Sequence, residues 1–191
     1  MEDAAPRPAE LHALSLERDE ELALEARSDP AAFGALYERH RLAVFRYLRT
    51  RSPSEEDAAD LTAVAFERAL ASVSKYRPRG GGVLAWLLRI ARNAAIDAGR
   101  RTAGVPLVSD LPDTRRFTSP ELAAIDRERQ ASLVAAVNRL PDVQREALAL
   151  RYAAGLTAAQ IGEVLGKTDR ATQKLITRAL ATLREEYRHD R

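Results

Sequence analysis

The sequence predicts an all-α protein made of two small helical domains joined by a flexible linker, with a helix-turn-helix in the C-terminal domain. Apolar residues recur at helical spacing along most of the chain, and no segment shows the sustained two-residue alternation that is typical of strands. Residues 102–118 interrupt this pattern with glycine, two prolines and scattered Asp, Ser and Thr, which favours a linker. Of the 191 residues, 46% are apolar and only 5% aromatic, so the predicted cores are aliphatic.

These patterns divide the chain into four parts. We predict a disordered acidic tail over residues 1–18 and an N-terminal domain over residues 19–101. The linker over residues 102–118 then leads to a C-terminal domain over residues 119–191.

Capping residues predict where individual helices begin. Asp29-Pro30 and Ser119-Pro120 each combine a capping side chain with proline at the first helical position. Ser54 precedes three carboxylates, which favour the positive end of a helix dipole. Thr157-x-x-Gln160 fits a capping box. The predicted helices cover approximately residues 18–28, 30–48, 54–72, 83–100, 120–138, 142–153, 158–165 and 169–187.

The composition excludes several classes of site. There is no cysteine, which excludes disulfides, thiol catalysis and cysteine-based zinc sites. His12, His40 and His189 share no ligand spacing, so we expect neither a metal centre nor a cofactor. No apolar stretch approaches the roughly 20 residues that span a bilayer. Because the N-terminus also lacks a signal-peptide core, we expect a cytoplasmic protein.

Charge is distributed unevenly along a chain whose formal net charge is only +2. Residues 61–105 carry eight basic and two acidic side chains, and residues 167–191 carry seven and four. Two separate basic blocks indicate two contacts with a polyanion such as nucleic acid. The alternative is that this basic surface only keeps the protein soluble.

The second basic block has the pattern of a helix-turn-helix. Gly166 ends one predicted helix, and Thr168 caps the next after a short turn. Gly162 lies inside the first helix, where glycine costs about 1 kcal/mol, so it indicates a close approach of the two helices. Long polar side chains on the second helix suit the major groove. The predicted duplex-contacting residues are Lys167, Thr168, Arg170, Gln173, Lys174, Thr177 and Arg178. An ordinary helical hairpin with a solvated face is the alternative.

The first basic block combines a glycine loop with a basic helix. The loop, Lys75–Gly82, contains Lys75, Tyr76, Arg77 and Arg79, which suit phosphates and an unpaired base. At 100° per residue, the following helix groups Leu87, Ile90, Ala91, Ala94 and Ala98 on one side. The other side presents Arg89, Arg92, Asn93 and Arg100.

Three side chains of this block have structural alternatives. Tyr76 either stacks on a base or packs against its own domain. Trp86 borders the aliphatic side of the helix, which favours core packing. Asp97 either belongs to the nucleic-acid surface or forms a local ion pair with an arginine.

Three sequence runs together carry a resemblance to a known family. They are DAADLTAVAFERAL, YRPRGGGVLAWLLRIARNAAIDAGRR and LPDVQREALALRYAAGLTAAQIGEVLG. In this order they resemble the sigma factors of bacterial RNA polymerase. The two-domain size is similar to that of the extracytoplasmic-function (ECF) subfamily, and the resemblance covers about residues 20–187.

The resemblance implies a promoter-specificity subunit without catalytic activity of its own. One domain would read the −35 element as duplex DNA, and the other would trap the melted −10 element. The implied partners are core RNA polymerase (through the β′ clamp helices and the β flap), promoter DNA and an anti-sigma factor. Polymerase docking is implied for Asp57, Asp60, Leu61 and Phe66, although Phe66 also fits a core position.

The resemblance also assigns the two DNA contacts. The loop Lys75–Gly82 corresponds to the specificity loop that captures a flipped −10 base, and the predicted helix over residues 169–187 corresponds to the −35 reader. The residues with an implied −10 role are Lys75, Tyr76, Arg77, Arg79, Trp86, Arg89, Arg92, Asn93, Asp97, Arg100 and Arg101.

The sequence departs from the family pattern at three places. Gln160-Ile161-Gly162 stands where Glu-Ile-Ala is usual, which keeps the cap and the small residue. Thr172-Gln173-Lys174-Leu175 stands where Val-Lys-x-Arg is usual, which removes a basic group from the −35 reader. Ala63 and Val64 replace a polar pair in the polymerase-docking segment.

Two further interpretations compete with the sigma reading. A free-standing helix-turn-helix regulator that binds duplex operators explains residues 140–187, but it leaves the glycine loop and the basic helix without a role. An enzyme is disfavoured because the chain has no nucleophile motif, no P-loop and no carboxylate pair in a pocket-like context.

Overall fold

A computed structural model describes residues 8–101 and 120–189 of the chain. Over these residues the chain forms α-helices and one short 3-10 helix, with no strand among them. The first four α-helices are α1 (Pro8–Glu25), α2 (Pro30–Arg49), α3 (Glu55–Ser72) and α4 (Gly82–Arg101). The 3-10 helix is Val73–Lys75, and the remaining helices are α5 (Pro120–Arg139), α6 (Asp142–Tyr152), α7 (Ala158–Leu165) and α8 (Asp169–His189).

Two of the predicted caps begin their helices as expected, and Ser119, the predicted cap before Pro120, lies outside the described residues. The Asp29 side chain accepts a hydrogen bond from the Ala31 amide at 2.8 Å, with Pro30 as the first residue of α2. Ser54 accepts from the Asp57 amide at 3.0 Å before α3. Both bonds satisfy a backbone N–H that the first helical turn leaves without a partner. The all-α class predicted from the sequence is confirmed.

The start of α1 differs from the prediction. The helix begins at Pro8, about ten residues before the predicted start near Arg18, so residues 8–18 are helical and do not belong to a tail. Proline has no N–H to leave unsatisfied at the first helical position, which makes Pro8 a favourable start. The predicted linker, residues 102–118, and the first seven residues lie outside the described part of the chain.

Helices α1 to α4 pack around an aliphatic core with one buried polar cluster. Leu36, Leu48 and Leu88 are fully buried at its centre. Asp19 of α1 is buried against α2, where its carboxylate lies 2.9 Å from His40 Nε2 and 2.7 Å from Arg39 Nε. Because a buried carboxylate needs partners, this cluster fixes α1 against α2.

The core does not stop at the first four helices. Leu150 of α6, Leu156 of the following turn and Ile161 of α7 are fully buried, and they belong to the same contiguous apolar cluster as Leu48 and Leu88. A smaller cluster of Leu140, Leu148 and Ala179 joins α6 to α8. The two predicted domains are therefore packed against each other across a shared apolar surface.

None of the helices in residues 8–101 and 120–189 is long and apolar enough to cross a bilayer.

Candidate nucleic-acid interfaces

Helices α7 and α8 approach each other as closely as the sequence predicted. Thr157 and Gln160 form the capping box that begins α7, and Gly166 ends it with a positive φ of 67°. A Cβ atom on Gly162 would lie 2.5 Å from the Lys167 carbonyl oxygen and 3.3 Å from Thr172 Oγ1. These distances are too short for a side chain, so Gly162 is required by the tight turn between the helices.

Helix α8 has one face inside the protein and one outside. Thr172 and Ala179 are fully buried against the neighbouring helices. The residues that line an open groove on the outer face are Arg170, Gln173, Lys174, Thr177 and Arg178. All five are exposed, as are Lys167 and Thr168 in the turn. This face is therefore open to solvent in the folded chain.

One member of the outer face already has a partner. Gln173 Nε2 donates a hydrogen bond to the Asp169 carboxylate at 3.0 Å. Thr168 also caps α8, because its hydroxyl accepts from the Ala171 amide at 3.3 Å. Arg170 and Lys174 therefore remain the exposed cations at the first turns of the helix.

The glycine loop brings its cations to the surface next to α4. Lys75, Arg77 and Arg79 are exposed. Gly82 has a positive φ of 69°, which favours glycine at the point where the loop turns into α4. Arg27, from the segment after α1, donates a hydrogen bond to the Tyr76 carbonyl at 2.8 Å and anchors the loop from below.

Tyr76 and Trp86 pack within the first domain. Tyr76 is only 3% exposed, and its ring lies 5.0 Å from the Trp86 ring, centroid to centroid. Burial raises the pKa of the Tyr76 hydroxyl to about 12, with smaller contributions from the carboxylates of Glu20 and Asp19. In this conformation Tyr76 is not accessible to a base, and the packing alternative describes its position.

The two faces of α4 follow the predicted separation. Leu87, Ala91 and Ala94 are buried. Asn93 is exposed, and Arg89 and Arg92 are half-buried at the edge. The helix includes Arg100 and Arg101, whose side chains lie outside the described residues.

Asp97 forms the local ion pair that the sequence left open as the alternative to a nucleic-acid contact. Its carboxylate lies 2.8 Å from Arg68 Nη1, which joins α4 to α3. Both side chains are about two-fifths exposed, so the pair is accessible from solvent.

The predicted polymerase-docking residues separate into two groups on α3. Asp57 and Asp60 are exposed, and Leu61 is half-buried. Phe66 is only 4% exposed and packs edge-on against Phe33 and Tyr37. Phe66 is therefore a core residue, and the expectation that it contacts a partner directly is corrected.

Comparison with known proteins gives these surfaces a family context. Residues 36–104 match the model of Sigma-70 region 2, and residues 130–183 match that of Sigma-70 region 4. The chain is 31% identical over 173 residues to the ECF RNA polymerase sigma factor SigK of Mycobacterium sp. (strain KMS), covering 85% of this chain and 86% of SigK. The chain belongs to the ECF sigma factor family.

Two further relatives agree with this assignment. The ECF RNA polymerase sigma factor BldN of Streptomyces coelicolor is 35% identical over 155 residues, which is 80% of this chain and 59% of BldN. The structure of CnrH in complex with the cytosolic domain of CnrY superposes with a TM-score of 0.67 at 27% identity. That superposition covers 91% of this sigma factor and 99% of CnrH.

One buried charge in the sigma factor was not predicted from its sequence. Glu146 of α6 is 3% exposed and accepts a hydrogen bond from the Tyr47 hydroxyl at 2.5 Å. Its other oxygen lies 2.6 Å from Arg51 Nη1, and Arg92 Nε is 3.7 Å from the carboxylate. Glu146 therefore links the region 4 segment to α2 and α4 of the region 2 segment.

The same cluster holds Tyr47 in its neutral form. Desolvation by burial raises the pKa of the Tyr47 hydroxyl well above 10, and the cation of Arg51 opposes this shift. Tyr47 is therefore protonated at neutral pH, and its hydroxyl donates a hydrogen bond to the Glu146 carboxylate. The two residues are 99 positions apart in the sequence, so no local pattern predicts their contact.

Proposed function

We propose that this ECF sigma factor binds core RNA polymerase and directs it to promoters with a −35 and a −10 element. Helix α8 would read the −35 element as duplex, and the glycine loop with α4 would hold the melted −10 strand. The chain itself would supply no catalytic group and would act in the cytoplasm, where the polymerase is. The single observation that carries the proposal is the presence, on one chain of this family, of two distinct basic surfaces suited to different forms of DNA.

The −35 role is supported by the open face of α8. Arg170 and Lys174 are the long cationic side chains at the start of the helix, where a recognition helix meets base edges and phosphates. Gln173 can offer an amide to a base edge if it leaves Asp169. Because Thr172 is buried, it supports the turn and does not contact DNA.

The −10 role is supported by the cations around the loop. Lys75, Arg77 and Arg79 are exposed in the loop before α4, and Arg77 and Arg79 line a small cavity together with Arg89. Such a cluster tracks the phosphates of a single strand and gives binding that weakens steeply with salt. Tyr76 and Trp86 lie beneath this surface, so a base-stacking role for either requires the loop to rearrange.

Polymerase docking is proposed for the exposed part of α3. Asp57 and Asp60 present carboxylates on the solvent face, and Leu61 adds an apolar group beside them. We place the β′ clamp contact here and the β flap contact on the second domain. An anti-sigma factor that covers either surface would silence the chain.

The experiment that tests the function is binding to core RNA polymerase followed by run-off transcription from a library of promoter fragments. We expect stable binding to core and transcripts that share a two-part upstream element. The matched variants Asp57→Asn/Asp60→Asn and Glu128→Gln/Glu185→Gln remove two carboxylates each, but only the first pair should weaken core binding. A chain that ignores core and shifts duplex DNA alone would instead be a free-standing regulator.

A further inference from the structure

The contact between the two domains covers one edge of the surface proposed to hold the −10 strand, while Lys75, Arg77 and Arg79 stay exposed. Arg92 has an implied −10 role, yet its guanidinium faces Glu146 of α6. Its Nε is buried and has no hydrogen-bond partner among the described residues. A carboxylate thus occupies the position in front of Arg92 that a DNA phosphate would need.

A second acidic residue of the C-terminal domain packs beside the glycine loop. Glu163 of α7 lines a small cavity of about 20 Å³ with Arg77, Arg79 and Arg89. The Cβ atom of Glu163 lies 3.0 Å from where a Cβ on Gly81 would be, so α7 rests directly on the loop. Gln160 Nε2 donates a hydrogen bond to the Gly81 carbonyl at 3.2 Å and fixes this contact.

The contact also has an apolar part that favours closure. Leu150 and Ile161 of the second domain and Leu88 and Ala91 of the first are buried in one contiguous cluster. Separating the domains would expose these side chains, and burial of apolar surface is the main favourable term in such association. Closure therefore combines apolar burial with the ion pair between Glu146 and Arg51 and with the packing of Glu163 beside the arginines of the loop.

We propose that this sigma factor is autoinhibited by its own second domain, with Glu146 and Glu163 standing in for the phosphates of the −10 strand. Opening requires the polymerase to hold the two domains apart. The proposal rests on the proposed function in one respect, the DNA role of Arg92 and the loop cations. The closed state itself rests only on the contacts described above.

Glu146 is the main determinant of closure because its charge is buried. Its pairing with Arg51 and the hydrogen bond from Tyr47 compensate its loss of hydration. Glu146→Gln keeps the size of the side chain but leaves Arg51 and Arg92 without their counter-charge. The single substitution should therefore shift the chain toward open conformations, in which Arg51 and Arg92 regain water.

The direct test measures the distance between the domains by electron paramagnetic resonance. Because the chain has no cysteine, spin labels can be placed at Ala71→Cys in α3 and Ala181→Cys in α8, both of which are exposed. We expect one narrow distance distribution in the parent chain. With Glu146→Gln/Glu163→Gln we expect a broad distribution that extends to longer distances. An unchanged narrow distribution, or a broad one already in the parent, would overturn the closed state.

The functional test uses the same variants with a fluorescein-labelled single-stranded DNA of random sequence. Affinity for a closed protein is reduced by the fraction that is open, so Glu146→Gln/Glu163→Gln should bind about tenfold more tightly. The control Glu128→Gln/Glu185→Gln removes the same charge from the second domain and should change affinity less than about twofold. If both double variants gained the same affinity for single-stranded DNA, the gain would come from net charge alone, and the autoinhibition would be overturned.

Two readouts separate this proposal from the proposed function. Far-UV circular dichroism establishes whether each variant is folded. If the Glu146 variant unfolds, the same distance and binding measurements are made on Glu163→Gln, which changes only an exposed side chain. If the domains open without a gain in DNA binding, autoinhibition fails while run-off transcription still tests the promoter role. If the parent chain gives no polymerase-dependent transcripts, the promoter role fails whatever the distance measurement gives.

Discussion

The two proposed DNA-binding surfaces of the molecule are built from similar residues but differ in how far the rest of the protein covers them. On α8, Arg170 and Lys174 project from an open face. On α4, Arg92 faces a buried glutamate, and the loop cations lie beside Glu163. Basic composition therefore identifies a candidate DNA surface but does not determine whether that surface is available. Availability depends on which carboxylates the fold brings opposite the cations.

The largest expected effect comes from removing the open cations. Arg170→Ala/Lys174→Ala should weaken binding of the free chain to a selected duplex promoter fragment by about tenfold to a hundredfold, because each cation releases counterions from the phosphates. The slope of log affinity against log salt should fall by about 2. Fluorescence anisotropy over a salt series measures both quantities.

The covered surface provides the matched control for this experiment. Arg89→Ala/Arg92→Ala also removes two cations, but from the side that the second domain occupies. In the free chain its effect on duplex binding should stay below about threefold. An equal loss in both double variants would remove the distinction between an open and a covered surface.

The tight turn of the helix-turn-helix gives the next effect. Gly162→Ala places a methyl group against the Lys167 carbonyl and should lower the free energy of unfolding by about 1–3 kcal/mol. Gly34→Ala lies in α2, where an added Cβ meets nothing within 4 Å, and should raise stability by up to about 1 kcal/mol. Urea denaturation of both variants measures the difference. A Gly162→Ala protein as stable as the parent would contradict the close approach.

The buried hydroxyl between the domains has a smaller expected effect. Tyr47→Phe removes the hydrogen bond to Glu146 and leaves that carboxylate with one partner fewer, which should cost about 1–3 kcal/mol. Tyr152→Phe removes the hydroxyl of a tyrosine that is 66% exposed and should be neutral. Thermal denaturation followed by circular dichroism compares the two. Equal midpoints would show that the Tyr47 hydroxyl does not stabilise the closed chain.

The smallest expected effect concerns Tyr76 and appears only at high pH. Its pKa is about 12 in the folded protein and about 10 in an unfolded chain. The folded state therefore keeps a proton that the unfolded state loses, so stability should fall as the pH rises from about 10 to about 12. The Tyr76→Phe variant should therefore lose less stability than the parent protein over this pH range. Denaturation midpoints of the two proteins at pH 8 and pH 11 provide the comparison, and parallel losses would contradict the raised pKa.

Local signals in the sequence predicted most of the helices. Asp29, Ser54 and Thr157 carry their information in a few neighbouring residues, because a cap acts on the first turn of its own helix. Gly162 and Gly166 likewise indicate a turn that depends on local backbone geometry. The start of α1 at Pro8 was not predicted, because the acidic residues and prolines near the N-terminus favoured a tail and the apolar pattern of this segment is weak.

The contact between the domains could not be predicted in the same way. Glu146 is an ordinary acidic residue by position in the sequence, and its partners Tyr47 and Arg92 lie far away along the chain. Only packing brings the three together, so no periodic pattern records it. For the same reason Tyr76, which the loop sequence made a candidate for base stacking, is buried beside Trp86.

Under the proposed function, this chain opens promoter DNA only together with core RNA polymerase. Permanganate footprinting of a promoter chosen by the run-off library tests it most directly, because permanganate modifies unpaired thymines. We expect reactive thymines at the −10 element only when both the chain and core polymerase are present, and protection of the −35 duplex in the same complex. Protection of duplex DNA by the chain alone, with no reactive thymines when core is added, would contradict the account.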